Sequence, residues 1–321
     1  MSKYLKAFLL PLIFLTMSLT LWSMHDQICF RDYIYREVRI YTALKESTFN
    51  TSRIRFIKLP SLLGWQYVVD ENVYVNGVKV GVEDHEGYIR PKPRIFHLRR
   101  GERIILVYEV RVKVLRNIYP FTFRCYYTRK VSLENIGLSY VESLDEDSLN
   151  DILDVAHYIV KKVRYKETPG IQSPKVTLKL GEGDCLDQAL LLAYLCKHRK
   201  NRVYIALCLK HDPKFNLLEI YSDNMTSLRL VKCRFHAFNL ILNNNDFLIP
   251  LDLTYHAEGE LSLIKGSGIV LDDSLIVYAI SDMNQIEQYV FFNVFEEHPS
   301  HFKVKVTISL AEYNALNKPS S

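Results

Sequence analysis

Alternating apolar and polar residues, the pattern of half-buried strands, dominate the chain from about Cys29 to Tyr140. "ERIILVYEVRVKVL" and "FTFRCYYTRKVSL" follow this period and are rich in β-branched and aromatic side chains. "VYVNGVKV" predicts a hairpin with Asn76-Gly77 at its tip, because this pair tolerates the positive φ angles of a type I′ turn. No helical period interrupts the stretch. The pattern therefore predicts an all-β, sandwich-like domain over residues 25–142.

Helical periodicity begins near Ser143, where "SLDE" has the spacing of a capping box. Apolar residues then recur on one helical face up to Val163. The segment with Pro169, Gly170 and Pro174 is predicted to be a loop. A second, strongly apolar helix is expected from Asp184 to about His198.

Short strands follow the second helix: "RVYIALCL", "CRFHAFNLIL", "FLIPLDLTY" and the C-terminal "FKVKVTISL". The Asn-rich "NNND", Asn243 to Asp246, is the expected turn between the second and third of these. Helices followed by antiparallel strands indicate an α+β fold class. This second domain is predicted over residues 143–316, with a tail at 317–321.

The N-terminal residues 1–24 have the layout of a secretory signal, because Lys3 and Lys6 precede an uncharged apolar run from Ala7 to Trp22. The run is short for a membrane span, which needs about 20 apolar residues. No small-x-small cleavage site follows, which favours an uncleaved signal-anchor over a cleaved peptide. In both cases the remainder is exported. We therefore expect a protein that is membrane-anchored through this segment with exported domains, or secreted.

The composition and charge restrict the classes of binding partner. Of 321 residues, 48% are apolar and 24% charged, a globular balance. The formal net charge of +5 is too mild, and the basic residues too scattered, to indicate nucleic-acid binding. The oligomeric state is not determined by the sequence.

Six cysteines suit an oxidising compartment. None has the close C-x-x-C spacing of a zinc site, so the metal hypothesis is weak. Cys29 with Cys125, and Cys208 with Cys233, are candidate disulfides whose connectivity the sequence leaves open.

Cys185 differs from the other cysteines because it stands where the second helix begins. Gly181 and Gly183 make the approach flexible, and Asp184 is the expected N-cap. The first turn of a helix favours an anionic sulfur and can make it a nucleophile. Asp187, in the same turn, would oppose thiolate formation. Cys196, further along among leucines, is interpreted as core packing.

A nucleophilic thiol needs a base, and the base needs an orienting group. His236 lies in the strand "CRFHAFNLIL", where it shares a face with Phe238 and Leu240. Asp252 is an acid within an apolar strand, and its burial would be costly unless it were paired. A hairpin closing on "NNND" could make His236 and Asp252 near neighbours. Each residue also has an ordinary structural interpretation, as a core histidine and as a strand-end acid.

Three stretches together resemble the transglutaminase-like superfamily, whose core is related to papain. They are Gly183-Asp184-Cys185-Leu186-Asp187-Gln188-Ala189, then His236-Ala237, then Leu251-Asp252. The resemblance covers about residues 145 to 256 and implies helices packed on an antiparallel sheet. This chain departs from the family where Phe238 replaces a common tryptophan, so an oxyanion donor supplied elsewhere by an indole must be replaced. Candidates are the Cys185 backbone N–H and the Gln172 amide.

The resemblance implies cysteine acyl chemistry with Cys185, His236 and Asp252 as a catalytic triad. The thiolate would attack an amide carbonyl of a protein or peptide substrate and form a thioester. Hydrolysis of that thioester is favoured over transfer to an amine, which would cross-link. This chemistry requires no metal and no organic cofactor.

Two alternatives remain open from the sequence. The first is a non-catalytic cell-surface or assembly protein that retains a transglutaminase-like fold for protein binding. The second is a disulfide-stapled structural ectodomain in which Cys185 is paired.

Overall fold

The protein is described by a computed structural model over eleven ranges of the chain: residues 30–61, 66–85, 87–115, 146–168, 170–196, 203–215, 217–222, 225–242, 248–254, 275–280 and 301–313. Several predicted features lie outside these ranges: the N-terminal apolar segment, the strand "FTFRCYYTRKVSL", the start of the capping box, the "NNND" turn and the tail.

The described residues form helices and strands in a strand-rich α+β arrangement. The helices are α1 Glu146–Lys162, α2 Pro174–Leu180 and α3 Cys185–Cys196. The strands are β1 Phe30–Ala43, β2 Ser47–Asn50, β3 Phe56–Ile57, β4 Gln66–Val75, β5 Val78–Val80, β6 Val82–His85, β7 Tyr88–Pro91, β8 Ile95–Leu98, β9 Arg103–Leu115, β10 Arg164–Tyr165, β11 Glu182–Gly183, β12 Val203–His211, β13 Leu218–Ser222, β14 Thr226–Val231, β15 Cys233–Leu242, β16 Leu248–Leu251, β17 Leu275–Ile280 and β18 Phe302–Glu312.

The largest sheet has seven strands in the order β13-β14-β18-β1-β9-β4-β5. Strand β1 pairs antiparallel with both β9 and β18, and β14 runs parallel to β18. Burial alternates along β1, as the period of its sequence predicts. The hairpin between β4 and β5 has its tip at Asn76 and Gly77, with φ angles of 49° and 80°, which confirms the predicted turn.

This sheet crosses the domain boundary that we expected after residue 142. Strands β13, β14 and β18 come from the segment assigned to the second domain, yet they extend the sheet of the first. The seven-stranded sheet therefore contains strands from both sides of residue 142. Local periodicity identifies strands, but it does not tell which distant strand pairs with which.

In a second sheet, of four strands in the order β16-β15-β12-β17, the inner strand β12 is buried on both faces. One face packs against α1 and α3 through Ile205, Leu207 and Ala237. The other face joins the core of the seven-stranded sheet through Ala206, Phe238 and Leu240. Burial on both sides explains why "VYIALCL" in β12 is a continuous apolar run instead of an alternating one.

Helix α2 corrects the prediction of a loop between the two long helices. Pro174 stands at the first turn of α2, where its missing N–H costs no hydrogen bond. Gly181 ends the helix in the left-handed conformation, with φ 66°, and its N–H donates to the Thr177 carbonyl. The proline that we interpreted as a break therefore starts the helix.

The candidate Cys208–Cys233 disulfide is absent, because both cysteines are free thiols. On the β12–β15 ladder, Cys208 lies opposite His236 and Cys233 lies opposite His211. The two cysteines are thus separated along the ladder by about 10 Å, beyond the reach of a disulfide. Cys29 and Cys125 lie outside the described ranges. Across those ranges, no helix is long and apolar enough to cross a bilayer.

Candidate active site

The first turn of α3 is capped by Asp184, as the sequence predicts. Its Oδ1 accepts hydrogen bonds from the N–H groups of Leu186 at 2.9 Å and Asp187 at 3.0 Å. The N–H of Gln188 donates to the Asp184 carbonyl at 3.0 Å. Among the described residues, no acceptor takes the N–H of Cys185. The helix start therefore offers one unused backbone donor beside the sulfur.

His236 and Asp252 are brought together by strands β15 and β16. The ladder pairs Asn239 with Leu251, so Asp252 follows the last paired residue of β16. His236 Nε2 lies 2.7 Å from Asp252 Oδ2. The other carboxylate oxygen of Asp252 accepts from the backbone N–H of Thr254 at 2.9 Å and from its hydroxyl at 2.7 Å. Asp252 is 1% exposed, and these partners satisfy a charge that would otherwise be costly to bury.

The protonation of His236 reflects this environment. Burial lowers the pKa of His236, but hydrogen bonds to Asp252 and to the Cys185 side chain raise it, and the result is a pKa of about 9. Because Asp252 occupies Nε2, Nδ1 is the ring nitrogen left to face the sulfur. The Cys185 side chain, the imidazole and the carboxylate of Asp252 thus form one contiguous group, and the ring holds its proton at neutral pH.

Cys208 is the second thiol near this group, and it contrasts with Cys185. It lies directly opposite His236 on the ladder and is fully buried. Burial, together with the negative charges of Asp252 and Cys185, raises the pKa of Cys208 well above its usual value. Cys208 therefore stays protonated, whereas Cys185 is partly exposed at the helix end.

Asp187 has a role that the sequence did not reveal. We expected its charge to oppose the thiolate, but the side chain is fully buried and turned into the fold. Its Oδ1 accepts from the Gln172 N–H at 2.7 Å, and its Oδ2 accepts from the Thr168 hydroxyl at 3.0 Å and the Asp184 N–H at 3.2 Å. Burial raises the pKa of Asp187, while the Gln172 hydrogen bond opposes the rise. The carboxylate ties the 168–172 segment to the start of α3.

Gly183 is required by the same packing. A Cβ atom at this position would lie 2.9 Å from the Asp187 Cβ and 2.9 Å from the Thr177 Cγ2. The glycine before Cys185 therefore does more than loosen the turn, because it lets α2 and the first turn of α3 approach each other. The "GDC" motif signalled the glycine, but only the packing supplies the reason.

Phe238 stands where the family that this chain resembles commonly has tryptophan. Its ring centroid lies 6.2 Å from that of His236, and the residue is 1% exposed. A phenyl ring carries no N–H, so it cannot stabilise an oxyanion by hydrogen bonding. The unused Cys185 N–H remains as a donor. Gln172 lies beside the same turn through its backbone, and its Oε1 is buried without a hydrogen-bond partner among the described residues.

Tyr165 is a further residue at the site that sequence analysis missed. It pairs with Gly183 in the small parallel β10–β11 sheet, and it is 49% exposed. Burial raises the pKa of Tyr165 first, followed by the negative charge of Cys185. No motif singles out this tyrosine, because its nearness to Cys185 results from a strand pairing of only two residues. Within the described ranges, no cluster of three or more His, Cys, Asp or Glu could hold a metal ion.

Comparisons with known proteins add little. No family model matches the chain, and no curated protein matches it. A solved structure from Cytophaga hutchinsonii, described as a "Putative Cysteine Protease", is similar at 13% identity with a TM-score of 0.45, over 89% of this chain and 91% of that one. The geometry of the site, and not this likeness, is the basis on which a function can be assigned.

Proposed function

We propose that this chain is an exported, cysteine-dependent acyl-transfer enzyme that cleaves an amide or peptide bond through a thioester on Cys185. His236 is the acid–base group, and Asp252 orients it. The observation that carries the proposal is the distance of 2.7 Å between His236 Nε2 and Asp252 Oδ2. The other partner of this histidine is Cys185, at the start of α3.

The raised pKa of His236, about 9, refines the mechanism expected from the sequence. At neutral pH the imidazole is charged, so it cannot act first as a neutral base that removes a proton from the Cys185 thiol. The carboxylate of Asp252 favours this charged ring. The proposed resting state is a thiolate–imidazolium pair.

Acylation then begins with attack of the Cys185 sulfur on the amide carbonyl carbon. The carbonyl oxygen becomes an oxyanion, for which the Cys185 N–H is the proposed donor. As the C–N bond breaks, His236 gives its proton to the leaving amine and becomes neutral. The acyl group remains on the sulfur as a thioester.

Deacylation uses the neutral His236 as a base. The ring takes a proton from water as the water oxygen attacks the thioester carbonyl, and the C–S bond breaks to release a carboxylic acid. The thiolate and the charged imidazole are thereby restored. An amine in place of water would give a new amide. Following the resemblance, we propose hydrolysis as the main outcome.

The proposal extends to the fold and to the location of the protein. The packing of α1 and α3 on the four-stranded antiparallel sheet supports a transglutaminase-like core. The basic and apolar composition of residues 1–24 supports export, with this segment as an anchor or as a signal. The seven-stranded sheet would then orient the core or bind part of a protein or peptide substrate.

The decisive experiment measures the alkylation rate of Cys185 by iodoacetamide from pH 4 to pH 10, with the modified residue identified by peptide mapping. We compare wild type with His236→Ala and use Cys185→Ser to measure reaction at other thiols. Wild type should react at pH 6, where an ordinary cysteine is less than about 1% thiolate. His236→Ala should react at least about tenfold more slowly at that pH and approach wild type above pH 9.

An inert Cys185, or equal rates at pH 6 in wild type and His236→Ala, would exclude the catalytic pair and favour the binding-protein alternative. Active wild type should also release p-nitrophenol from p-nitrophenyl acetate in a burst, with acetate retained on Cys185. His236→Ala should lose the burst.

A further inference from the structure

Two basic residues face each other next to the proposed catalytic histidine. Lys210 and Arg234 are direct partners on the β12–β15 ladder, and the next rung on the same face pairs Cys208 with His236. Like charges directly opposite each other destabilise a sheet. Arg234 and His236 are two residues apart on one face, which places their Cα atoms about 6.6 Å apart.

The positive charge of Arg234 is only partly compensated. Asp212 is the carboxylate paired with Arg234, at 3.8 Å between Oδ2 and Nε, a distance too long for a hydrogen bond. Lys214 and Lys232 lie on the adjoining turns, where the Lys214 N–H donates to Asp212 Oδ1 and the Lys232 N–H donates to the Phe215 carbonyl. Lys232 adopts a left-handed conformation, with φ 55°. This end of the sheet is therefore basic.

The Arg234 guanidinium has unused hydrogen-bonding capacity. Its side chain is 47% exposed, and it extends over the Phe215 ring with its central carbon 5.9 Å from the centroid. No described residue accepts a hydrogen bond from it. A guanidinium presents five N–H donors in a planar fork that matches a carboxylate.

Tyr165 lies near Cys185 through the pairing of β10 with β11. Its partner Gly183 is two residues before Cys185, just as Arg234 is two residues before His236. The pKa of Tyr165 is raised by burial and by Cys185, whereas Arg234 acts to lower it. Cys185 and Arg234 thus both influence the Tyr165 hydroxyl, which is consistent with the position of Arg234 on the same face of β15 as His236.

We propose that Arg234 binds a carboxylate of the acyl donor, so that the enzyme acts on amide bonds flanked by an acidic residue. The inference rests on the proposed function and names its substrate class. A peptide residue spans about 3.5 Å, so a carboxylate one or two residues from the scissile bond can cover the separation of about 6.6 Å between the Cα atoms of His236 and Arg234. The exposed ring of Tyr165 packs against the same segment.

Two alkylating agents test the proposal directly, because iodoacetate carries a carboxylate and iodoacetamide carries a neutral amide of similar size. Both react by the same displacement, in which the sulfur forms a C–S bond and iodide leaves. We measure both rates at Cys185 at pH 6 in wild type, Arg234→Gln and Lys305→Gln. Lys305 is an exposed lysine on β18 of the seven-stranded sheet, so its substitution makes the same charge change outside the four-stranded sheet that carries His236.

Arg234→Gln should lower the rate with iodoacetate about three- to tenfold, which is the range for a partly screened charge near the reacting sulfur. The rate with iodoacetamide should stay within about twofold of the wild-type rate. Arg234→Glu should lower the iodoacetate rate further, and Lys305→Gln should change neither rate. Raising the salt concentration should lower the ratio of the iodoacetate rate to the iodoacetamide rate in wild type. The same ratio should stay nearly unchanged in Arg234→Gln.

An unchanged rate ratio in Arg234→Gln would overturn the carboxylate site, and the proposed function would stand if His236 still controlled the reaction. Equal losses with both reagents would also overturn it, because they would indicate a general disturbance of the site. A wild-type Cys185 that is inert to both reagents would refute the proposed function and this inference together.

Discussion

Within the described part of the chain, one buried charged cluster lies in the seven-stranded sheet and another lies at the start of α3. In the first, Arg39 Nε donates to Glu37 at 2.6 Å, and the Tyr35 hydroxyl donates to the other Glu37 oxygen at 3.1 Å. Arg39 also lies over the Phe56 ring at 4.5 Å. Arg39 and Glu37 are 1% and 4% exposed, and the cluster has no reactive group that solvent reaches.

The cluster of Cys185, His236 and Asp252 resembles the first in its buried carboxylate and differs in the exposure of its other residues. Asp252 is as buried and as well satisfied as Glu37. The His236 side chain is 18% exposed, and Cys185 is partly exposed. In both clusters a carboxylate stabilises a buried cation. The difference is that the second cluster ends in a partly exposed cysteine sulfur, the group that we propose as the nucleophile.

The comparison teaches that perturbed pKa values alone do not mark a functional site. The pKa of Tyr35 is raised well above its usual value, by burial first and by Glu37 next, although Tyr35 lies outside the proposed site. Access and chemistry distinguish the two clusters. Substitutions should therefore separate a cluster that stabilises the fold from one that serves a reaction.

The largest effect on stability is expected from Glu37→Ala. The substitution leaves the Arg39 charge buried without its carboxylate, which should lower the free energy of unfolding by about 3–5 kcal/mol. Urea unfolding followed by circular dichroism measures the loss. The matched control is Glu109→Ala, which removes the hydrogen-bonded partner of the more exposed Arg36 and should cost about 1 kcal/mol or less. Equal losses would contradict the assignment of Glu37 as the structural anchor.

An intermediate effect, and one that depends on pH, is expected from Asp252→Asn. The pKa of His236 is raised from 6.5 to about 9, so its stabilising contribution is complete below pH 6.5 and is lost as the pH rises through 9. In wild type this contribution is up to about 3 kcal/mol. Asp252→Asn removes the main hydrogen-bond partner that raises the pKa, so the loss between pH 6.5 and 9 should shrink.

Urea unfolding at pH 6, 7.5 and 9 tests this prediction, with His236→Ala as the reference that lacks the titrating ring. An Asp252→Asn variant with the pH dependence of wild type would show that Asp252 does not control the histidine.

The smallest effect is expected from Asp187→Ala. The substitution leaves the Gln172 and Asp184 N–H groups without their buried acceptor, at a cost of about 1–3 kcal/mol. Hydrogen exchange of the Gln172 amide should accelerate, because the hydrogen bond that holds the 168–172 segment is lost. Asp154→Ala, an exposed change on α1, is the control and should alter neither quantity. If the Gln172 amide exchanges at the wild-type rate in Asp187→Ala, Asp187 does not hold this segment.

Much of the local structure could be predicted because local rules decide it. Asp184 caps α3 because its side chain reaches the N–H groups of the next residues. Asn76-Gly77 turns the chain because it tolerates positive φ angles. The loop expected around Pro174 was wrong because a proline can start a helix as well as break one.

The rest depended on packing between distant segments. Strands from beyond residue 142 join the seven-stranded sheet, Asp187 is buried, and Tyr165 pairs with Gly183 near Cys185. Each of these features results from pairings or contacts that no local pattern encodes. Asp187 shows this most clearly. In the sequence it is an acid near a thiol, and in the structure its carboxylate turns inward and accepts three hydrogen bonds.

The sequence by itself determined which residues are available for chemistry: a cysteine at a capped helix start, and a histidine and an aspartate on strands of one hairpin. Only the tertiary structure decided that they lie together and that the pKa of the histidine is raised. The physical reason is the distance along the chain over which each interaction acts. Capping and turn preferences act over a few residues, whereas the pKa of His236 depends on burial and on Asp252 and Cys185, which come from other elements of the chain.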